Sequence, residues 1–390
     1  MNEQIVRFSF PTTILFGAGA VEQLPRCLKE VGINRPLLVT DVGLQKTKVV
    51  ETVTAVLRRA SVPFSLEGDV QANPHVEDVQ KLLEVYRADA CDGVIGLGGG
   101  SPLDAAKVLP VLAVNDGPLE RFDIQSGGNA GIRGPLPPMI AIPTTAGTGS
   151  EVGRCSVITS AQRARKFLVC HPEMMPRRAI LDPELTVGLP AGLTASTGMD
   201  ALTHSIEAFA VDMFHPMCDA IALKGIELVA QNLEEAVKNP TNIEARGNMM
   251  MAAMMGAVAF QKDLGATHSL AHPLSTDCGV QHGLANAICL PAVMRFNRDV
   301  SAAKYARIAQ AFGVDTSGMS DAEAADKAIE AVVGLSRRTG TAKTLAEVGV
   351  REEQLVTLSK KAFEDPCHQS NPRPCSQEDL LNLYKEAYGR

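Results

Sequence analysis

The chain has 390 residues, long enough for two domains with separate cores. Hydrophobic residues make up 45% and charged residues 21%, a globular balance that excludes extended disorder. The net charge of -7 gives no footprint for a nucleic-acid backbone or an anionic membrane, which leaves a small molecule as the better-suited partner.

Nine cysteines are scattered without any CxxC spacing and read as free thiols of a reducing, cytoplasmic compartment. Met1–Phe10 carries charge early and lacks a long apolar core, so it does not read as a signal peptide. The longest apolar run, Met249–Phe260, is too short to span a bilayer and reads as a buried helix.

The first half alternates short β-type runs with helical stretches. Strands are expected at Arg35–Asp41, Val62–Leu66, Gly93–Leu97 and Met139–Ile142, with helices at Lys48–Ala60, Val76–Ala88 and Pro102–Val114. Val157–Thr159, Lys166–Cys170 and Ala179–Leu181 are further strand candidates, and Phe122–Pro138 reads as a Gly/Pro-rich loop. This alternation implies a parallel sheet with helices on both faces. Past about Pro183 strand signals vanish. Helices are expected over Met199–Val211, Met217–Val237, Ile243–Gln261, Ser301–Phe312, Asp321–Thr339, Arg351–Phe363 and Gln377–Tyr388, the last capped by Ser376. The reading is an α/β Rossmann-like nucleotide domain, residues 1–185, followed by an all-helical domain, residues 186–390.

Two loops of the first domain suit a nucleotide. Gly96-Leu-Gly98-Gly99-Gly100-Ser101 lies between an expected strand and helix, where glycine lets a diphosphate approach backbone amides at a helix N-terminus. Ser101 stands where GxGxxG would have its third glycine, so a plain tight turn is an equal reading of that segment alone. Thr144, Thr145, Thr148 and Ser150 crowd a second loop with Gly147 and Gly149, supplying hydroxyls for a diphosphate or ribose. Asp41 ends an earlier strand, where a plain strand-end Asp is the commoner reading; a carboxylate there can also accept ribose hydroxyls and repel a ribose phosphate, which favours NAD over NADP.

The second domain concentrates ligand-type residues. Asp200 and His204 are spaced i,i+4, as are His268 and His272, and His282 follows. That spacing stacks side chains on one helix face. A carboxylate with imidazoles and no thiolate suits Fe(II) or Zn(II). Such an ion acts as a Lewis acid on an alcohol or aldehyde oxygen.

These motifs together resemble the iron-containing (group III) alcohol dehydrogenases, a family that includes lactaldehyde reductases and 1,3-propanediol dehydrogenases. The resemblance runs from Phe10-Pro11 and Ile14–Gly19 through Asn73-Pro74, Gly98–Lys107 and Pro143–Glu151 to the histidine clusters and Asn371-Pro-Arg373. It implies a dehydroquinate synthase-like fold and a metal-dependent, NAD(H)-linked alcohol dehydrogenase or aldehyde reductase acting on a small primary alcohol or aldehyde. It implies Asp200, His204, His268 and His282 as metal ligands and His272 as a proton relay near nicotinamide and substrate. It further implies Gly98, Gly99, Ser101 and Asp104 at the diphosphate, Thr144, Thr145 and Thr148 at ribose and nicotinamide, Lys166 at a cofactor ribose, and Asp41 in NAD preference. A homodimer or higher homo-oligomer is the family's expectation. A zinc polyol (glycerol-type) dehydrogenase on the same fold and a non-catalytic NADH- or metal-binding sensor are the competing readings. Asp263 departs from the pattern, standing where a small residue is expected ahead of His268.

Overall fold

A computed structural model describes residues 10, 12–163 and 165–389. Met1–Ser9 and Pro11, which carried the reading against a signal peptide and part of the first family motif, lie outside the described residues. Two compact units emerge, one of residues 12–145 and 149–188, the other of residues 146–148 and 189–389.

The first unit contains β1 (Thr13–Phe16), α1 (Leu24–Val31), β2 (Pro36–Asp41), α2 (Lys48–Arg59), β3 (Ser65–Val70), α3 (Val76–Ala88), β4 (Gly93–Gly98), α4 (Gly100–Val114), β5 (Met139–Pro143), β6 (Cys155–Ser160), β7 (Arg165–Cys170) and β8 (Arg178–Leu181). Six strands form one parallel sheet in the order β1-β8-β5-β4-β2-β3. Its central strands are apolar throughout because both faces are covered. Leu37, Val39, Val94, Met139 and Ala141 pack with α3 and α4 on one face. The alternate residues Leu38, Ile95, Leu97, Ile140 and Ile142 pack with α1 and α2 on the other, the two-residue period of a strand.

The structure corrects three expectations here. The strand expected at Val62–Leu66 runs instead from Ser65 to Val70. As an edge strand paired only with β2, it carries Glu67, Gly68 and Asp69, which hide it from an apolar scan. β6 and β7 leave the parallel sheet and form an antiparallel pair of their own. Their register sets Cys155 opposite Cys170, with Cα atoms 4.1 Å apart, and the two join in a disulfide rather than standing as free thiols. The other seven cysteines are free.

The second unit is helical: α5 (Ala191–Ala210), α6 (Pro216–Lys238), α7 (Ile243–Ala259), α8 (Ala266–Asp277), α9 (His282–Ala311), α10 (Asp321–Thr339), α11 (Leu355–Glu364) and α12 (Gln377–Tyr388). α5 is buried along nearly its whole length, its polar residues Asp200, His204 and Glu207 included. One core joins α5, α6, α7 and α10; a second joins α8, α11 and α12. α9, 30 residues and so about 45 Å long, contributes to both. It is far longer than the Ser301–Phe312 segment expected, because its first half carries its pattern in small residues rather than a clean apolar stripe. Ser320 and Ser376 cap α10 and α12, each in a capping box with an acidic residue three positions on. Among the described residues no helix is long and apolar enough to cross a membrane.

Candidate functional site

The sheet unit builds a turn at the end of β4. Gly98 has φ 142°, a conformation side chains rarely adopt, and a Cβ there would meet Pro102 Cγ at 2.5 Å. Gly99 occupies the N-cap position of α4, and having no side chain it leaves the first-turn N–H groups open to an anion. Thr144, from the end of β5, donates its backbone N–H to the Gly98 carbonyl at 3.0 Å. Thr145 lies against Gly99, its Cγ2 3.2 Å from where a Cβ would stand. Ser101 Oγ accepts the Asn73 N–H at 3.2 Å, and Lys166 Nζ donates to Asn73 Oδ1 at 2.8 Å. Asp41 and Gly98 are far apart in sequence, yet β2 neighbours β4 and Asp41 Oδ2 would stand 3.1 Å from a Gly98 Cβ. Asp41 Oδ1 accepts the N–H groups of Gly43 and Leu44 at 2.9 and 3.0 Å. Thr148 falls with Ala146 and Gly147 in the helical unit rather than with Thr144 and Thr145.

Asp104 stands differently from its expected place on a diphosphate. Its Oδ1 accepts Ser150 Oγ at 2.6 Å and its Oδ2 accepts the Val157 N–H at 2.9 Å. The carboxylate is thus committed to tying α4 to the β6–β7 pair, and its negative charge would repel a phosphate. Beneath it lies Lys107, 1% exposed, with Nζ donating to Ser150 Oγ at 2.8 Å and to the Cys155 carbonyl at 2.7 Å. Burial pushes the neighbouring Glu151 carboxyl up to about 7, against the opposing pull of Lys107.

The helical unit gathers the histidines. Asp200 and His204 share one face of α5; His268 and His272 share one face of α8; His282 opens α9. Around Asp200 Oδ1 stand the Nε2 atoms of His282, His268 and His204 at 3.6, 3.8 and 4.0 Å. Gly283 permits this convergence: a Cβ there would sit 2.2 Å from the Ser196 carbonyl oxygen of α5. The His204 and His268 rings stack with centroids 4.7 Å apart. Burial, reinforced by His204, holds the His268 imidazole well below its usual range, so it is neutral with a lone pair to offer.

His268 is oriented from behind. Its Nδ1 meets Glu207 Oε2 at 2.5 Å, while Glu207 Oε1 accepts the Thr267 N–H at 2.7 Å. Asn371, from the Asn-Pro-Arg motif, accepts the Ala266 N–H at 3.2 Å and pairs its amide reciprocally with Asn297. The open N-terminus of α8 is thereby held by two distant side chains. Asn286 Nδ2 donates to Asp200 Oδ1 at 2.7 Å and lies 3.3 Å from the Nε2 atoms of both His268 and His282. An amide hydrogen-bond donor thus faces the same lone pairs that a cation would attract, and the fully buried Asn286 Oδ1 has no hydrogen-bond partner. A carboxylate and three imidazoles without a thiolate form a donor set that fits a divalent metal.

His272 stands beside this group, its ring stacked on His282 with centroids 5.4 Å apart. Its Nδ1 meets Asp365 Oδ2 at 2.7 Å, and Asp365 Oδ1 accepts Ser269 Oγ and the Cys367 N–H, both at 2.9 Å. Burial works to raise the Asp365 carboxyl, but His272 and these donors hold it well below the usual carboxylate range. Asp263, ahead of α8, has φ 79° and ψ -178°, a region nearly reserved for glycine.

Sequence reasoning missed Glu207, Asn286 and Asp365. Glu207 lies three residues after His204 and Asn286 four after His282, so helical spacing could have found both. Asp365 is 93 residues from His272, and no local pattern links them.

Residues 11–183 match the family described as iron-containing alcohol dehydrogenase, and residues 194–388 match its C-terminal part, the Fe-containing alcohol dehydrogenase family, C-terminal. The NAD-dependent methanol dehydrogenase of Bacillus methanolicus is 38% identical over 384 residues, covering 98% of this chain and 100% of that protein. A solved structure of 1,3-propanediol oxidoreductase superposes with a TM-score of 0.94 at 35% identity, covering 98% of this chain and all of that one. A sulfoacetaldehyde reductase from Bifidobacterium kashiwanohense, solved in complex with NAD+, superposes with a TM-score of 0.87 at 28% identity, covering 99% of each chain. The chain belongs to the iron-containing alcohol dehydrogenase family and is an oxidoreductase of the alcohol dehydrogenase class.

Proposed function

We propose that the protein interconverts a small primary alcohol and its aldehyde with NAD(H), using a divalent metal held by Asp200, His204, His268 and His282. The observation that carries this reading is the convergence of three Nε2 atoms on Asp200 Oδ1, with His268 held from behind by Glu207. Iron(II) is the assigned ion, with zinc the competing one. A divalent ion bound there supplies Lewis acidity toward an alcohol or aldehyde oxygen. A nicotinamide cofactor held at the Gly98–Gly99 turn would supply the hydride donor or acceptor.

The chain's own residues do the rest. The Gly98–Gly99 turn and the α4 N-terminus receive the diphosphate, with Ser101 and Lys166 beside them. Asp104 is reassigned from phosphate contact to bracing this turn through Ser150 and Val157. Thr144, Thr145 and Thr148 serve ribose and nicotinamide, and the Asp41 carboxylate disfavours a ribose phosphate. Asp365 fixes His272 with its proton on Nδ1, leaving Nε2 to accept a proton from the alcohol side and pass it on. Relatives named for methanol and 1,3-propanediol support a short primary alcohol as substrate.

The test is aldehyde-dependent NADH oxidation by protein prepared without oxygen and reconstituted with Fe(II), against a metal-stripped control. Short aliphatic, hydroxylated and acidic aldehydes form the panel. Turnover that needs the metal is the expected result. Absence of turnover with every aldehyde, despite bound metal and NADH, would overturn the assignment in favour of a sensor.

A further inference from the structure

Beside the four-residue centre lies a second ligand set of different chemistry. His272, Asp365 and Cys367 each bring one ligand atom to within 4.8 Å of the others, and all three are half-buried, hence reachable from solvent. We propose that this trio is a binding site for a soft divalent cation, zinc in the first place, and that its occupancy inhibits the enzyme.

The donor types decide the ion. Thiolate, imidazole and carboxylate together are a zinc set, whereas Asp200 with its three imidazoles offers no sulfur. A three-residue zinc site leaves a fourth position for water, as half-buried side chains allow. Tetrahedral ligands about 2.0–2.3 Å from zinc stand roughly 3.5 Å from one another, so the His272–Asp365 pair, 2.7 Å apart, must open while any separation near the 4.8 Å limit closes.

The existing hydrogen bonds prepare this site. Asp365 Oδ2 accepts the imidazole N–H at 2.7 Å, and the Cys367 sulfur lies within 4.8 Å of both ligand atoms. Imidazole and thiol thus already stand around one carboxylate. On binding, His272 moves its proton from Nδ1 to Nε2, the thiol releases its proton to solvent, and nitrogen, sulfur and oxygen turn their lone pairs on one cation. Burial and the Asp365 charge hold the free thiol well above its usual range, but a coordinated cation deprotonates a thiol outright. Asp365 Oδ1 stays anchored by Ser269 Oγ and the Cys367 N–H, the supporting shell that a ligating carboxylate requires.

Occupancy places a proton on the His272 Nε2 that must accept one and removes Asp365 from its ring. The inhibition rests on the proposed relay by His272; the binding does not. The two are separated by reading binding without turnover. Iron-loaded protein is titrated with Cd(II), whose thiolate charge-transfer band in the ultraviolet reports sulfur ligation and is silent for an all-imidazole and carboxylate centre. The expected result is a band that saturates at one further equivalent per chain, is displaced by Zn(II), and disappears in Cys367→Ser and Cys367→Ala. His268→Ala, which breaks the primary centre, should keep it. Zn(II) inhibition of wild-type turnover should weaken at least about 10-fold in Cys367→Ser, measured against that variant's own activity. A band that survives both Cys367 substitutions, one that vanishes in His268→Ala, or no further equivalent in the wild type would each overturn the proposal. Circular dichroism of each variant excludes loss by misfolding.

Discussion

Replacing Gly283 by alanine tests whether helix approach, rather than ligand identity alone, makes the metal centre. The added Cβ would stand 2.2 Å from the Ser196 carbonyl oxygen, 2.7 Å from its carbon and 3.2 Å from Asp200 Cβ. An ordinary carbon–oxygen contact needs about 3.3 Å, so α9 must retreat from α5 by about 1 Å. Ala is favoured over Gly in a helix by up to about 1 kcal/mol, and less in a first turn such as this. Overpacking against backbone costs about 1–3 kcal/mol, so the clash wins. His282 is the adjacent residue and its Nε2 lies 3.6 Å from Asp200 Oδ1. A 1 Å retreat is several times the roughly 0.2 Å that ligand distances tolerate. The expected variant folds, melts somewhat lower and retains metal at least about 10-fold more weakly than wild type. Metal content after dialysis against a graded chelator, with circular dichroism as the folding control, measures this. A Gly283→Ala protein with wild-type metal retention and turnover would refute the reasoning.

His268→Ala should lose metal and turnover together, whereas His272→Ala should keep its metal while turnover falls by about 10²–10⁴; equal metal loss in both would undo that division of roles. Glu207→Gln should weaken metal retention by about 10–100-fold, because one amide cannot accept both the His268 Nδ1–H and the Thr267 N–H as the two carboxylate oxygens do; unchanged retention by chelator competition would count against it. Glu151 carries a folded-state pKa raised to about 7 from 4.5, so the native state keeps a proton that the unfolded chain has released between those values. Its contribution is fully present below pH 4.5 and is lost as pH rises through 7, on the order of 3 kcal/mol in all. Glu151→Gln should remove that slope from denaturant midpoints taken across the window; an identical slope would show that another group sets it. Asp263→Gly relieves a left-handed backbone and should raise the melting temperature, by about 1 kcal/mol of stability; a lower melting point would mean that its side chain outweighs the strain.

The sequence was most legible where the chemistry is local. The i,i+4 pairs Asp200/His204 and His268/His272 announced their shared helix faces, because helical geometry alone sets that relation. The glycine turn after β4 and the apolar runs of β2, β4 and β5 were readable for the same reason, as was the cap at Ser376. Hydrophobic periodicity likewise separated the strand-bearing part from the helical part, although it placed β3 too early and shortened α9. What periodicity could not supply was pairing across long separations. Asp41 reaches Gly98 because β2 neighbours β4, and Cys155 meets Cys170 because β6 and β7 share one register. Asp104 shows the cost of reading a motif without its neighbours: only the packed structure reveals that Ser150 and Val157 already claim its oxygens. Glu207, Asn286 and Asp365 gain their roles from the faces that α5, α8 and α9 turn to one another, decided by contacts such as Gly283 on Ser196. The sequence by itself determined which residues could bind a metal, a phosphate or a proton; tertiary packing decided which lone pairs meet, because a hydrogen bond or a coordination bond depends on tenths of an ångström that no spacing rule encodes.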